Sequence, residues 1–246
     1  MGWNGAYADG VGRVAVLDRD AELADSLSDT ELREARKVLL APRVTLAQGR
    51  WDPPFAAAAG CLGLLVLDGL LTRQVALGET TCAELLGPGD LLRPWDRLES
   101  KTPQPLRVTW RVQEETELAI LSERFAGRAA RWPAVASALT GRVMRRANTL
   151  ALSQAIGSTT GLDTRLLTLF WHFAERWGRV RADGVLLSLP ITHETIARLI
   201  GARRPSVSTT LKLLERDGKV RREGRGAWLL AHHPSSSAPA DLAQAA

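Results

Sequence analysis

The apolar positions change period twice along the chain, and each change marks a change of element type. The first two dozen residues show no period and are expected to form a loosely held arm, residues 1–27. Ser28 and Glu31 then make a capping box, in which hydroxyl and carboxylate each accept from the other's backbone N–H. Leu32, Ala35, Val38 and Leu39 follow as one apolar stripe, which predicts a helix to about Leu40, ended by Pro42. From Arg43 to Leu121 the texture is strands and turns. RVTLAQ before Gly49 reads as a strand. Cys61–Leu67 and the run LLTRQVAL flank Asp68-Gly69 in the pattern of a hairpin. CAELL leads into the turn cluster Gly87-Pro88-Gly89-Asp90. Leu106, Val108, Trp110 and Val112 alternate with polar partners, and TELAIL from Thr116 to Leu121 forms the next strand after a Glu-Glu turn. Short strands at this spacing predict a small antiparallel barrel or sandwich, not a βαβ fold.

From Ser122 the chain turns helical. Trp132-Pro133 marks a helix start. Ala136, Leu139, Val143 and Leu150 give an imperfect seam, with Arg146 and Ser153 at the interposed positions, suited to a dimerisation helix or to a core helix of a monomer. Arg142, Arg145 and Arg146 read as a solvated flank. Gly157–Gly161 is a hinge, and Leu162–Trp177 a second helix with Leu166, Leu169, Phe170, Phe173 and Trp177 on its buried face. Gly178–Asp183 is a basic connector before the strand ValLeuLeuSerLeu. Residues 234–246 are small, polar and Pro-bearing, a disordered tail.

Leu189–Leu214 has the layout of two short helices around a tight turn. Thr192 is placed to cap the first, with Glu194 at the positive end of its dipole and Ile196, Ala197 and Ile200 on one face. Gly201 breaks that helix where a left-handed residue costs least. Pro205 suits the first position of a new helix and biases Arg204 away from helical geometry. Val207, Leu211 and Leu214 then supply an apolar face, opposite Thr209 and Lys212 and flanked by Ser206 and Ser208. With Arg203 and Arg204 at its start, this helix presents a small, hydroxyl-rich, basic surface that fits a major groove. An ordinary helical hairpin with a solvated face is the alternative. After it, LysValArgArg and AlaTrpLeuLeu flank a glycine-bearing turn, which reads as a wing hairpin. Arg221, Arg222 and Arg225 on the wing would meet phosphates, with Trp228 in its core.

Thr192, Ile196, Gly201, Arg204 and Val207 match the helix-turn-helix signature of the Crp/Fnr family of bacterial transcription regulators, which the chain resembles here. The resemblance implies base reading by Arg204, Ser206 and Thr209, to which the basic surface adds Arg203. Thr192, His193, Ser208 and Lys212 join the wing arginines as backbone contacts. Pro205 stands where many members carry Glu, and Thr209 where a second arginine is common, so the family's usual operator is not carried over. The run ValLeuAspGlyLeuLeu from Val66 and LeuLeuGlyProGlyAspLeuLeu from Leu85 resemble the family's cyclic-nucleotide-binding fold. Its ligand elements do not follow: Arg93-Pro94-Trp95-Asp96-Arg97 occupies the place of Gly-Glu-Leu, and Arg-Ser/Thr-Ala is missing. Arg93 or Arg97 would have to substitute in holding a cyclic phosphate.

Charge agrees with this division. Lys and Arg balance Asp and Glu, 19 against 19, from Met1 to Ala155, whereas Ile156–His233 holds 13 against 7. The whole excess behind the net +5 therefore lies with the helix-turn-helix, where a polyanion would bind. Cys61 and Cys82 are too few for a zinc or iron–sulfur site made by this chain alone. His172, His193, His232 and His233 have no companions that suggest a triad, and no nucleophile elbow or phosphate loop is present, so an enzyme is not expected. No secretory signal or membrane-spanning run is read, and the bacterial cytoplasm is the expected compartment.

The expectation is an α+β protein with 28–125 as a β-barrel domain, 126–156 as a dimerisation helix and 157–233 as a winged helix-turn-helix. It would act as a homodimer on double-stranded DNA without cofactor or metal, the cofactor-binding residues and any small-molecule effector being unassigned. RNA polymerase becomes a partner if the protein activates. The alternative is a cyclic-nucleotide or other small-molecule receptor whose output is DNA binding.

Overall fold

Between Leu152 and Ser153 the chain divides into two units, Met1–Leu152 and Ser153–Ala246, and the computed structural model describes residues 12–53, 60–96, 103–224 and 226–231 of them. The first unit opens with β1 (Arg13–Ala15), α1 (Val16–Arg19), a 3₁₀ turn (Ala21–Ala24) and α2 (Asp29–Val38). The Ser28–Glu31 capping box forms as read, Glu31 N donating to Ser28 Oγ and Ser28 N to Glu31 Oε2. Strands β2 (Leu40–Leu46), β3 (Gly49–Trp51), β4 (Gly63–Leu77), β5 (Thr80–Leu86), β6 (Leu91–Leu92) and β7 (Leu106–Leu121) follow, then α3 (Glu123–Ala129) and α4 (Pro133–Ser158).

The strands pair antiparallel in the order β1-β2-β7-β4-β5, with β3 added to β7 and β6 to β4. This path has two free ends among the described residues, so the sheet is an open roll, of the antiparallel barrel or sandwich kind that the strand spacing predicts. Its axis is the pair of long strands β4 and β7, which correct two expected turns. Asp68-Gly69 does not close a hairpin, and Glu114-Glu115 does not separate two strands. Both dipeptides lie inside continuous strands, at the level where the β4–β7 register shifts between Val66 and Leu71. The hairpin closes instead at Gly78-Glu79, with Leu77 opposite Thr80.

Side-chain alternation sends β4 into two cores at once. Leu64, Val66 and Leu71 join Trp51, Trp110 and Leu118 inside the roll. Leu65 and Leu67 join Leu17, Leu23, Leu39, Phe125 and Leu139 beneath the helices. Burial on both faces explains the unbroken apolar run from Leu64 to Leu67, which hides the strand period.

Two expectations about this unit fail for the same reason. The arm is part of the fold from Gly12 onward. Val16, Leu17 and Leu23 are fully buried, and each such side chain contributes roughly 1.5–3 kcal/mol of apolar burial. The arginines of α4 are not a solvated flank. Arg142 is 5% exposed and pairs with Asp20 and Glu22, and Arg146 grips Glu84 with Nε and Nη2 at 2.6 and 2.9 Å. Only Arg145 is exposed, and it too reaches Glu22.

The second unit holds α5 (Leu162–Trp177), β8 (Gly178–Arg181), β9 (Gly184–Ser188), α6 (His193–Leu199), α7 (Arg204–Arg216), β10 (Val220–Arg222) and β11 (Ala227–Leu230). Its sheet runs β10-β11-β9-β8, so the expected basic connector is itself a strand, paired with β9. Leu166, Leu169, Phe170 and Phe173 of α5 are buried, as are Leu187, Ile196, Val207, Leu211 and Trp228. No helix of the described residues is long and apolar enough to cross a membrane.

Candidate nucleic-acid interface

Helix α6 begins where Thr192 Oγ1 accepts from Thr195 N at 3.1 Å, which satisfies a backbone donor that the helix start leaves unpaired. It ends at Gly201, whose φ of +64° is left-handed and lets Ala202 N reach back to Ala197 O. Arg203 is the N-cap of α7, and Arg204 is already its first helical residue. Pro205 therefore stands one position later than expected, still within the turn whose N–H groups have no helical partner.

Val207, Leu211 and Leu214 are buried and clamp α7 to the unit. Ser206, Thr209 and Lys212 are exposed away from that face, and Arg203 and Arg204 are exposed at the N-terminal end of the helix. No carboxylate of the described residues forms a salt bridge with either arginine or with Lys212. The face combines cationic donors with short hydroxyl side chains, the equipment for reading base edges and neutralising phosphates.

The expected backbone contacts divide. Thr192 is exposed, with its hydroxyl engaged in the cap and against Thr195 Oγ1. His193 turns inward: Nδ1 lies 2.9 Å from Ser208 Oγ, and Nε2 is buried, with no hydrogen-bond partner among the described residues. Burial, with Arg222 and Arg204 nearby, lowers its pKa and keeps the imidazole neutral. Ser208 is half-buried by the same contact. On the wing, Arg221 is exposed and held by Asp183 and Glu223, each at 2.8 Å. Arg222 lies over the Trp228 ring, 5.4 Å from its centroid, and Trp228 packs on Phe170 in the core, as read. Arg225 lies outside the described residues, as do Arg97, His232 and His233.

Local pattern carries no signal for the His193–Ser208 bond or for Asp183 on Arg221, because these join separate elements. Among the described residues no three His, Cys, Asp or Glu side chains cluster as a metal ion would require. The first unit contains a cavity of about 630 Å³, lined by Trp51, Arg73, Arg93, Trp110, Val143 and Arg146 among others. Arg93 braces it, donating to the carbonyls of Cys61 and Leu62 and pairing with Asp96. Its guanidinium is thereby engaged by groups of the protein itself.

Residues 164–233 match the Crp-like helix-turn-helix domain. No curated protein matches the chain by sequence. Solved structures do match in fold. A CooA mutant from Carboxydothermus hydrogenoformans aligns over 88% of this chain and 91% of its own, at 17% identity and a TM-score of 0.62. FixK2 from Bradyrhizobium japonicum aligns over 78% and 93%, at 17% identity and 0.57. A CRP/FNR family transcriptional regulator from Thermus thermophilus aligns over 77% and 93%, at 18% identity and 0.54. Residues 164–233 thus carry a Crp-like helix-turn-helix domain, and the chain shares the fold of these solved regulators over most of its length.

Proposed function

We propose that this chain is a sequence-specific DNA-binding regulator that acts as a homodimer on a near-palindromic operator, in the bacterial cytoplasm and without dependence on a cyclic nucleotide. The observation that carries the reading is the outer face of α7, with Arg203, Arg204, Ser206 and Thr209 exposed while Val207, Leu211 and Leu214 anchor its back. In a dimer two such helices would lie one DNA turn (~34 Å) apart. Lys212, Thr192 and the wing arginines would supply phosphate contacts and a steep salt dependence. RNA polymerase is a partner in this reading if the bound protein activates.

A homodimer is supported by α4. Val143, Ala147, Leu150, Ala151 and Met144 share one helical face and are all exposed, Val143 at 51% and Met144 at 59%. Burial of that face by a second copy would remove an apolar stripe from water. The test is selection of duplexes from sheared genomic DNA, with footprinting of those retained. A protected site with two half-sites supports the proposal, and uniform coating of any duplex refutes it.

The second reading, a small-molecule receptor with DNA binding as its output, is favoured by the cavity of about 630 Å³ beside α4. Titration calorimetry with cyclic AMP and cyclic GMP separates the two. Saturable heat, with tighter operator binding in its presence, selects the receptor.

A further inference from the structure

His193 joins three elements of the second unit, α6, α7 and β11. It opens α6, its Nδ1 meets Ser208 of α7, and its ring lies 6.2 Å from that of Trp228 at 36°. Trp228 in turn carries Arg222 of β10 over its face and rests on Phe170 of α5. We infer that His193 is a positioning residue for sequence recognition, which fixes α7 against α6 and the wing from inside the protein and does not touch phosphate. The inference rests on the DNA-binding reading.

Three observations support it. Ser208 lies between Ser206 and Thr209, so a bond that fixes Ser208 fixes the rotation of the reading face about the helix axis. Nε2 is closed off inside the unit, so the ring has no free donor for an outside anion. The charged groups acting on the ring are Arg204 and Glu215 of α7 and Arg222 of β10, and burial acts with both arginines against an imidazolium. A neutral ring of this kind does not neutralise phosphate. It can hold a geometry.

The test uses a duplex that the full-length wild type enriches from sheared genomic DNA, and a scrambled duplex of equal length. Affinities for both are measured across a salt series for wild type, His193→Ala, His193→Asn, Ser208→Ala and the His193→Ala/Ser208→Ala double variant. His193→Ala and Ser208→Ala should each lose roughly fivefold on the preferred duplex, the scale of one net hydrogen bond. Both should lose little on the scrambled one and keep the wild-type salt slope. The double variant should lose no more than either single, since one bond is removed in all three. His193→Asn, which sets an amide near the place of Nδ1, should restore most of the loss. Ser208→Ala carries the test if His193→Ala fails to fold.

A salt slope lower by about one, with equal losses on both duplexes, would make His193 a phosphate contact and overturn the inference. Additive losses, or variants indistinguishable from wild type, would overturn it as well. A wild type that enriches no duplex at all refutes the regulator reading itself, and the two failures are thereby told apart.

Discussion

Gly69 and Glu115 meet at the corner of the roll, so closely that a Cβ on Gly69 would lie 2.2 Å from the Glu115 carbonyl oxygen. The backbone at Gly69 has a φ of +84°, and Asp68 Oδ1 accepts from its N–H. Strands β4 and β7 shift register at this level, so both bend together and the sheet rolls. Gly69→Ala is therefore expected to destabilise the first unit by about 2 kcal/mol or more, from left-handed strain plus a backbone clash. Gly201→Ala, at a φ of +64° with open space around its Cβ, should cost only about 1 kcal/mol. Urea unfolding of the two variants checks this, and equal costs would show that the close approach at Gly69 is not limiting.

The same corner shows where sequence reading stops. Asp68-Gly69 and Glu114-Glu115 have the chemistry of turns, but a bulge needs the same chemistry, and only the pairing of the two strands decides between them. Features that close locally were legible: the Ser28–Glu31 box, the Thr192 cap, the break at Gly201 and the buried face of α7. The role of Arg142 was not, since its partner Asp20 is 122 positions away. The inward packing of His193 was not legible either, because its shielded side is formed by α7 and Trp228 of the wing. An exposed helix start offered no hint of that packing.

Arg142 and Asp20 tie the N-terminal segment to α4. Removing Arg142 leaves the largely buried Asp20 without its cation, so Arg142→Ala should cost about 3–5 kcal/mol. Burial raises the Asp20 pKa above the ordinary 3.8, against the pull of Arg142, and its Oδ2 has no hydrogen-bond partner among the described residues. The stabilisation from this group is then complete below 3.8 and is lost as pH rises through the raised folded value. Glu22 acts in the opposite sense. Burial pushes it up, but Arg142 and Arg145 bring it below 4.5, so its contribution is present above 4.5 and lost as pH falls. Asp20→Asn should therefore gain on wild type as pH rises from about 3.8 toward neutrality. Unfolding curves across that range check it, and a variant that instead falls behind would show Arg142 holding Asp20 ionised.

The exposed apolar face of α4 predicts association. Val143→Glu and Leu150→Glu add a charge to a stripe that a second copy would cover, without touching Leu139 or Arg142 on the buried side. Each should shift sedimentation equilibrium from dimer toward monomer, and the pair should abolish the dimer. Far-UV dichroism should stay unchanged, because both positions are solvent-facing in the single chain. Operator affinity should fall with the dimer, since two linked half-site contacts become one. A dimer that survives both charges would place the interface on another surface.

Arg204 and Arg221 should separate sequence reading from phosphate binding. Arg204 stands at the start of α7 with no salt-bridge partner among the described residues, so Arg204→Ala is expected to cost about 1–3 kcal/mol on the preferred duplex and less on a scrambled one. Arg221 starts from a different state, because Asp183 and Glu223 already hold it. It must exchange these carboxylates for a phosphate, and the exchange weakens its net contribution. Asp183→Asn with Glu223→Gln should accordingly tighten binding to any duplex by a few-fold at low salt, with a steeper salt slope, as a freed cation displaces another counterion. Arg221→Ala in that background should return both quantities to or below the wild-type level. If neutralising the two carboxylates leaves affinity and salt slope as they were, Arg221 is a structural clasp between the two hairpins of the sheet, and the wing meets DNA through other residues.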